Sequence, residues 1–300
     1  MAIQHPTESK TSSRFPDLSI QYTDGDISII DNIKDVARFY PLKPESNLIA
    51  LCCRGRVSMT INDRRVELNT GSILLLPPKV NVEHCDSTAD FECKVLSLSD
   101  YIVQHLLRDK IDVWHRSIYV NQTNIVRMSE TCKEDFTFYY ALLRSKIKNN
   151  DSSVSSIEIV QALIRVLLLE LCSILEHMTD IPSEKKMSQG KQLFNKYLNI
   201  ISTNEVKRQP IAQYASQLAI TPKYLTMLCL KYSGKTASDW VIQYTLEDIR
   251  FYLKNTGLSI KEIAAKMGFA NMSHFGSYVR KHLGMSPSDF REQVLMHTDK

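Results

Sequence analysis

Two stretches in the last third of the chain, about fifty residues apart, carry the same kinds of groups in the same order: "ITPKYLTMLCLKYSGK" and "FANMSHFGSYVRKHLG". Each opens on a side chain suited to capping a helix, Thr221 in the first and Asn271 in the second. Each closes on cations, Lys231 and Lys235 in the first, Arg280 and Lys281 in the second. That combination does anion chemistry. A helix N-terminus offers unpaired N–H groups, and lysine or arginine neutralises phosphate oxygens without reading sequence. Thr221, Lys231, Lys235, Asn271, Arg280 and Lys281 are therefore the expected contacts to a phosphate backbone.

No His-x-His pair occurs, and His84, beside Glu83 and Cys85, is the only histidine among the strand-like segments, so no metal site is expected. Nine glycines in 300 residues leave little room for a phosphate-cradling loop, and no nucleophile elbow or paired carboxylates appear. No catalytic residue and no cofactor are expected. The seven cysteines, Cys52, Cys53, Cys85, Cys93, Cys132, Cys172 and Cys229, form no Cys-x-x-Cys pair, which suits a reducing cytoplasm. The opening "MAIQHPTESKTSSRFPD" has no apolar run, so neither signal peptide nor membrane anchor is expected.

The elements that must position the two stretches can be read from local signals. Ser259-Ile260-Lys261-Glu262 fits a capping box, and Ile260, Ile263, Ala264 and Met267 then share one helix face. Gly268 can take the left-handed conformation that ends that helix, Asn271 caps the next, and Phe275, Val279, His282 and Leu283 form its inward stripe until Gly284. The same grammar gives a helix near 210–218, a turn at Ala219-Ile220-Thr221 and a helix from Pro222 to Gly234. Between the pairs, "TASDWVIQYTLEDIRFYLKNTG" reads as one long helix. Such a connector would hold two second helices about one turn of duplex, roughly 34 Å, apart.

Upstream, "ISII", "NLIALCC", "RVSMTI", "RRVEL", "SILLLPP" and "ECKVLSLS" are short β-rich runs, with Asn62-Asp63 suited to a two-residue hairpin. They predict a small barrel or sandwich, with Leu51, Cys53, Met59 and Leu75 turned to its interior. Helices follow at roughly 129–149 and 154–178. The second carries Ile157, Val160, Ile164, Leu167, Leu168 and Leu171 in a stripe that either packs within the chain or meets a second subunit. Residues 179–190, "TDIPSEKKMSQG", read as a linker. Charge divides near there: residues 1–183 carry 20 Lys/Arg against 24 Asp/Glu, a net of −4, and residues 184–300 carry 17 against 9, a net of +8. The basic part is the one expected to meet a polyanion.

Residues 191–292 resemble the DNA-binding domain of the AraC/XylS family of bacterial transcription regulators. The resemblance rests on "LSIKEIAAKMGFANMSHFGSYVRKHLGMSPSDFRE", with Gly268-Phe269, Phe275, Gly284, Ser286-Pro287 and Phe290-Arg291 at family spacing. It implies an α+β chain: a cupin-like sensor and dimerisation domain over 1–178 with a β-barrel and helical dimerisation segment, a linker at 179–190, and an all-α domain over 191–300 with two helix-turn-helix units joined by a long helix. It implies base contacts from Lys223, Thr226 and Met227 in the first unit and from Met272, Ser273 and Ser277 in the second. Met227 and Ser277 stand where many relatives have arginine, which predicts altered base preference. Double-stranded DNA, RNA polymerase, a small-molecule effector and a second copy of the chain are the implied partners. Two other readings remain at this point, a metal-dependent cupin-type enzyme with a structural helical tail and a ligand-free adaptor.

Overall fold

The computed structural model describes residues 20–23, 26–33, 44–148, 154–178 and 187–298. Nine strands come first: β1 Ile20–Thr23, β2 Ile27–Ile33, β3 Asn47–Arg54, β4 Arg56–Ile61, β5 Arg64–Asn69, β6 Ser72–Leu76, β7 Val82–Ser87, β8 Glu92–Leu98 and, after two helices, β9 Ile125–Arg127. They form a six-stranded sheet in the order β1-β2-β8-β3-β6-β9 and a three-stranded sheet in the order β5-β4-β7. The β4–β5 hairpin turns on Asn62 and Asp63 at φ 45° and 65°, the left-handed conformations that asparagine and aspartate tolerate in tight hairpins. Among the described residues no ladder joins the two sheets, so the barrel expected from the sequence is an open pair of packed sheets. Strands β1, β7 and β9 add to the runs expected from the sequence; they carry weak signals, because β7, "VEHCDS", is polar and the other two are short.

The large sheet is buried on both faces. Leu48, Ala50, Cys52, Leu74, Leu76, Cys93 and Val95 pack against Val57, Met59, Ile61 and Leu68 of the small sheet. Leu51 and Leu75 face the other way, onto helices, with half-buried Cys53 against the same cluster. Of the four residues assigned to the interior between sheets, only Met59 lies there. Strand alternation separates the two faces of a strand but cannot name which is which when neither is wet.

Helices α1 (Asp100–Leu106) and α2 (Ile111–His115), a π-helical turn at Arg116–Val120, and helices α3 (Glu130–Lys148) and α4 (Val154–His177) cover the outer face of the large sheet. The α4 stripe is satisfied within the chain: Val160, Ile164, Leu167, Leu168 and Leu171 are buried in the same core as Trp114, Phe136 and Tyr140. Ile157, at the stripe's N-terminal end, stays exposed.

Of the stretch assigned to a linker, residues 179–186 lie outside the described residues, and Gln189 already belongs to α5, Gln189–Thr203. The remaining helices are α6 Ile211–Gln217, α7 Pro222–Ser233, α8 Ala237–Asn255, α9 Ile260–Lys266, α10 Met272–Leu283 and α11 Pro287–Thr298. Their apolar contacts divide in the middle of α8. Tyr214, Leu225, Cys229, Trp240 and Tyr244 join the core that also holds Trp114, Ile118 and Tyr119 of the upstream half. Leu246, Ile249, Leu253, Ile263, Met267, Phe269, Phe275 and Val279 make a separate core around α9 and α10.

Candidate nucleic-acid interface

Each pair of helices, α6 with α7 and α9 with α10, turns through the same hydrogen bond. The Ile220 N–H donates to Ala215 O at 3.0 Å, and 49 residues later the Phe269 N–H donates to Ala264 O at 2.9 Å. The preceding residue is left-handed both times, Ala219 at φ 54° and Gly268 at φ 72°. Glycine is required at the second turn, where a Cβ on residue 268 would lie 2.6 Å from Val206 Cγ1. Ala219 has no such freedom and carries a strain of about 1 to 2 kcal/mol.

The second helix of each pair is then fixed at its start and its end. Thr221 Oγ1 accepts from the Tyr224 N–H at 3.2 Å, and Asn271 Oδ1 accepts from the His274 N–H at 2.9 Å. Pro222 occupies the first turn, where its missing N–H costs nothing, and Gly234 and Gly284 end the helices at φ 67° and 77°. Helix α9 begins in a full capping box: Ser259 N–H to Glu262 Oε2 at 2.7 Å, Glu262 N–H to Ser259 Oγ at 3.2 Å. Hydrogen bonds to its carboxyl from the Ser259 side chain and backbone N–H hold Glu262 below the ordinary glutamate range. Arg291 locks the junction between α8 and α9 by donating to Leu253 O at 3.3 Å and Leu258 O at 2.7 Å.

With the inward stripes buried, the opposite faces are free. Lys223, Met227, Met272, Ser273 and Ser277 are exposed, Thr226 is half-buried, and Met227 and Met272 each leave about half of their surface in solvent, at 50% and 51%. Thr221, Lys231, Asn271, Arg280 and Lys281 are exposed as well. Tyr224 and Leu230, on neither set, also stand out from α7, which gives that face an apolar stripe with Met227. In sequence both look like ordinary core residues, and only their spacing from buried Leu225 and Leu228 distinguishes them.

Lys235 departs from the expectation. It is 6% exposed, and its Nζ lies 2.5 Å from Asp100 Oδ2 and 2.9 Å from Gln243 Oε1, over the Trp240 ring. Gly234 turns the chain inward at the end of α7 and delivers the ammonium to the first turn of α1, so Lys235 contacts a carboxylate inside the protein and is not placed to meet a phosphate. Burial pushes the Asp100 carboxyl up. The Lys235 charge, with hydrogen bonds from Lys235 and Asn47, outweighs that and leaves it below the usual aspartate range. Next to this pair, burial and the Lys235 charge push the His115 imidazole down to about 3, so it is neutral, with Nδ1 2.8 Å from the Tyr244 hydroxyl.

Helix α8 is tied to the upstream half by further charges. Asp248 pairs with Arg108 at 2.8 Å and Glu247 with His105 at 3.2 Å, while Lys207, from the same half as α8, also reaches Asp248 at 3.0 Å. Among the described residues no cluster of three histidine, cysteine or acidic side chains could hold a metal, and no helix is long and apolar enough to cross a membrane. His84 is exposed at the surface.

Two domain families match this chain. Residues 25–121 match an AraC-like ligand binding domain and residues 214–293 a helix-turn-helix domain, together more than half of its length. The chain belongs to the AraC/XylS family. It is 21% identical over 257 residues to the Msm operon regulatory protein of Streptococcus mutans, spanning 85% of this chain and 87% of that one. With the XylDLEGF operon transcriptional activator 2 of Pseudomonas putida it shares 26% identity over 39% of its own length and 76% of the relative's. Among solved structures, apo ToxT K231A from Vibrio cholerae aligns over 89% of this chain and 97% of its own at 13% identity, with a TM-score of 0.35. An AraC/XylS chain combines an N-terminal ligand-binding domain of sheets with a C-terminal helix-turn-helix domain, the order seen here.

Proposed function

We propose that this AraC/XylS chain is a DNA-binding transcription regulator controlled by a small effector through its N-terminal half, and not an enzyme. The observation that carries the reading is the repeated construction of α7 and α10: a side-chain cap, a buried stripe, a left-handed glycine at the end, and an exposed face at matching positions. Helices held this way can each enter a major groove. The two pairs would act as two helix-turn-helix units, with Lys223, Thr226, Met227, Met272, Ser273 and Ser277 at base edges. Lys231, Arg280, Lys281 and the helix starts at Thr221 and Asn271 would contact phosphates. The functional division runs 1–178, 179–190 and 191–300, although the first helix pair shares its core with the upstream half. Activation through RNA polymerase and assembly as a homodimer complete the proposal, and they rest on the family resemblance.

The test is fluorescence anisotropy of the full chain with duplexes selected from a random pool, read across salt. Binding is expected to weaken linearly in log–log form, with the slope falling by about 0.9 for each phosphate-contacting lysine or arginine removed. A full chain that shows no salt-dependent affinity for any selected duplex overturns the reading.

A further inference from the structure

A cleft of about 600 Å³ opens where the two halves meet, between α1, α2 and the π-helical turn on one side and α5 and α8 on the other. Its size is that of a small-molecule site. It lies outside the space between the two sheets, which is filled by the side chains of Leu48, Met59, Leu74 and their neighbours.

Most charges in its wall are already used. Arg108 and Lys207 share Asp248, and Asp109 lies 3.7 Å from Arg165. Arg116 is different. It opens the π-helical turn, no carboxylate among the described residues pairs with it, and its Nε is enclosed without a hydrogen-bond partner. π-Helical turns are rare and concentrate at functional sites. Elsewhere the wall of the same cleft supplies amide and hydroxyl groups, Asn199, Ser202 and Thr203 from α5 and Gln104 from α1.

The charge balance narrows the ligand. Three cations against four carboxylates disfavour a polyanion, whereas one unpaired arginine calls for one negative charge. Carboxylates, amides and hydroxyls in the remainder suit a molecule with several hydroxyl groups. We infer that this cleft is a binding site for a small monoanionic polyhydroxy acid, its carboxylate on Arg116 and its hydroxyls on the polar groups of α5. The assignment rests on the effector-controlled reading above and gives it a location: a ligand here touches both halves at once.

The probes are D-gluconate and D-glucuronate, with D-glucose and acetate as controls, titrated calorimetrically into the full chain without DNA. At least one of the two acids is expected to bind, more tightly than either control. Arg116→Gln is expected to weaken that binding by about tenfold to a hundredfold, the worth of a hydrogen bond to a charged group, and Ser202→Ala by less. If Arg116→Gln fails to fold, Arg116→Lys and Ser202→Ala carry the test. The inference is overturned if neither acid binds, if a control binds as tightly, or if the variants leave binding unchanged. DNA affinity is measured separately. Intact DNA binding without acid binding removes this site alone, and acid binding without DNA binding removes the regulator reading alone.

Discussion

Replacing Lys235 with methionine separates two roles for that residue. Methionine keeps the length of the side chain and its contact with Trp240 but removes the charge. The partner Asp100 is then left with Asn47 as its remaining hydrogen bond donor. Removing one member of a fully buried pair costs about 3 to 5 kcal/mol. Here the Lys235 side chain is 8% exposed and that of Asp100 33%, so water takes up part of the stranded charge and about 2 to 3 kcal/mol is expected. A surface lysine replaced by methionine would change stability by no more than about 0.5 kcal/mol. Urea unfolding of wild type and Lys235→Met at neutral pH reads the difference. The pH dependence gives a second check. The Asp100 carboxyl is depressed in the folded protein. Its contribution is therefore present above the unfolded aspartate value of about 3.9 and is lost as pH falls through the folded value. The gap between the two proteins should be largest near neutral pH and narrow as pH falls through the carboxylate range, because burial without the Lys235 charge leaves the variant's Asp100 easier to protonate than the wild type's. Asp100→Asn combined with Lys235→Met should recover part of the loss. The salt slope of DNA binding should be unchanged. A variant as stable as wild type whose slope falls by about 0.9 would place Lys235 on a phosphate and refute the reasoning.

Lys231→Ala and Arg280→Ala are each expected to lower the salt slope by about 0.9 with stability unchanged, measured by anisotropy across a salt series. Lys223→Ala and Ser273→Ala should change the preferred bases in separate parts of the selected sequence, read by sequencing bound duplexes from a random pool. Asn271→Ala removes the cap of α10 and should cost about 1 kcal/mol in urea unfolding. Phe275→Ala empties the centre of the second core and should cost about 3 to 5 kcal/mol, enough for the helical signal of residues 246–292 to melt early.

What was legible in the sequence was local. The cap at Asn271, the capping box of Ser259 and Glu262, the stop at Gly268 and the hairpin at Asn62-Asp63 depend on neighbours within a few residues, and all four stand in the structure. What was missed depended on distant partners. Lys235 sits among cations in sequence, and its carboxylate comes from 135 residues upstream. Leu51 and Leu75 alternate as predicted, but which face meets the second sheet follows from helices that cover the other one. Closure of the barrel depended on pairing at sheet edges, which strand composition does not determine. The exposed faces of α7 and α10 were legible through their buried complements, Leu225, Leu228, Phe275 and Val279. The cleft around Arg116 had no signal at all, since its walls come from at least five separate elements.

The division of apolar contacts midway along α8 has a consequence for how the molecule opens. Residues up to Tyr244 are held by the large shared core, whereas those from Leu246 onward depend on a smaller one built almost entirely from the last fifty residues. Cooperative units of unequal size unfold at different free energies. Backbone amides of α9 and α10 should therefore exchange their hydrogens with solvent through partial openings that leave α6 and α7 protected, and α8 should show a step in protection between Tyr244 and Ile249.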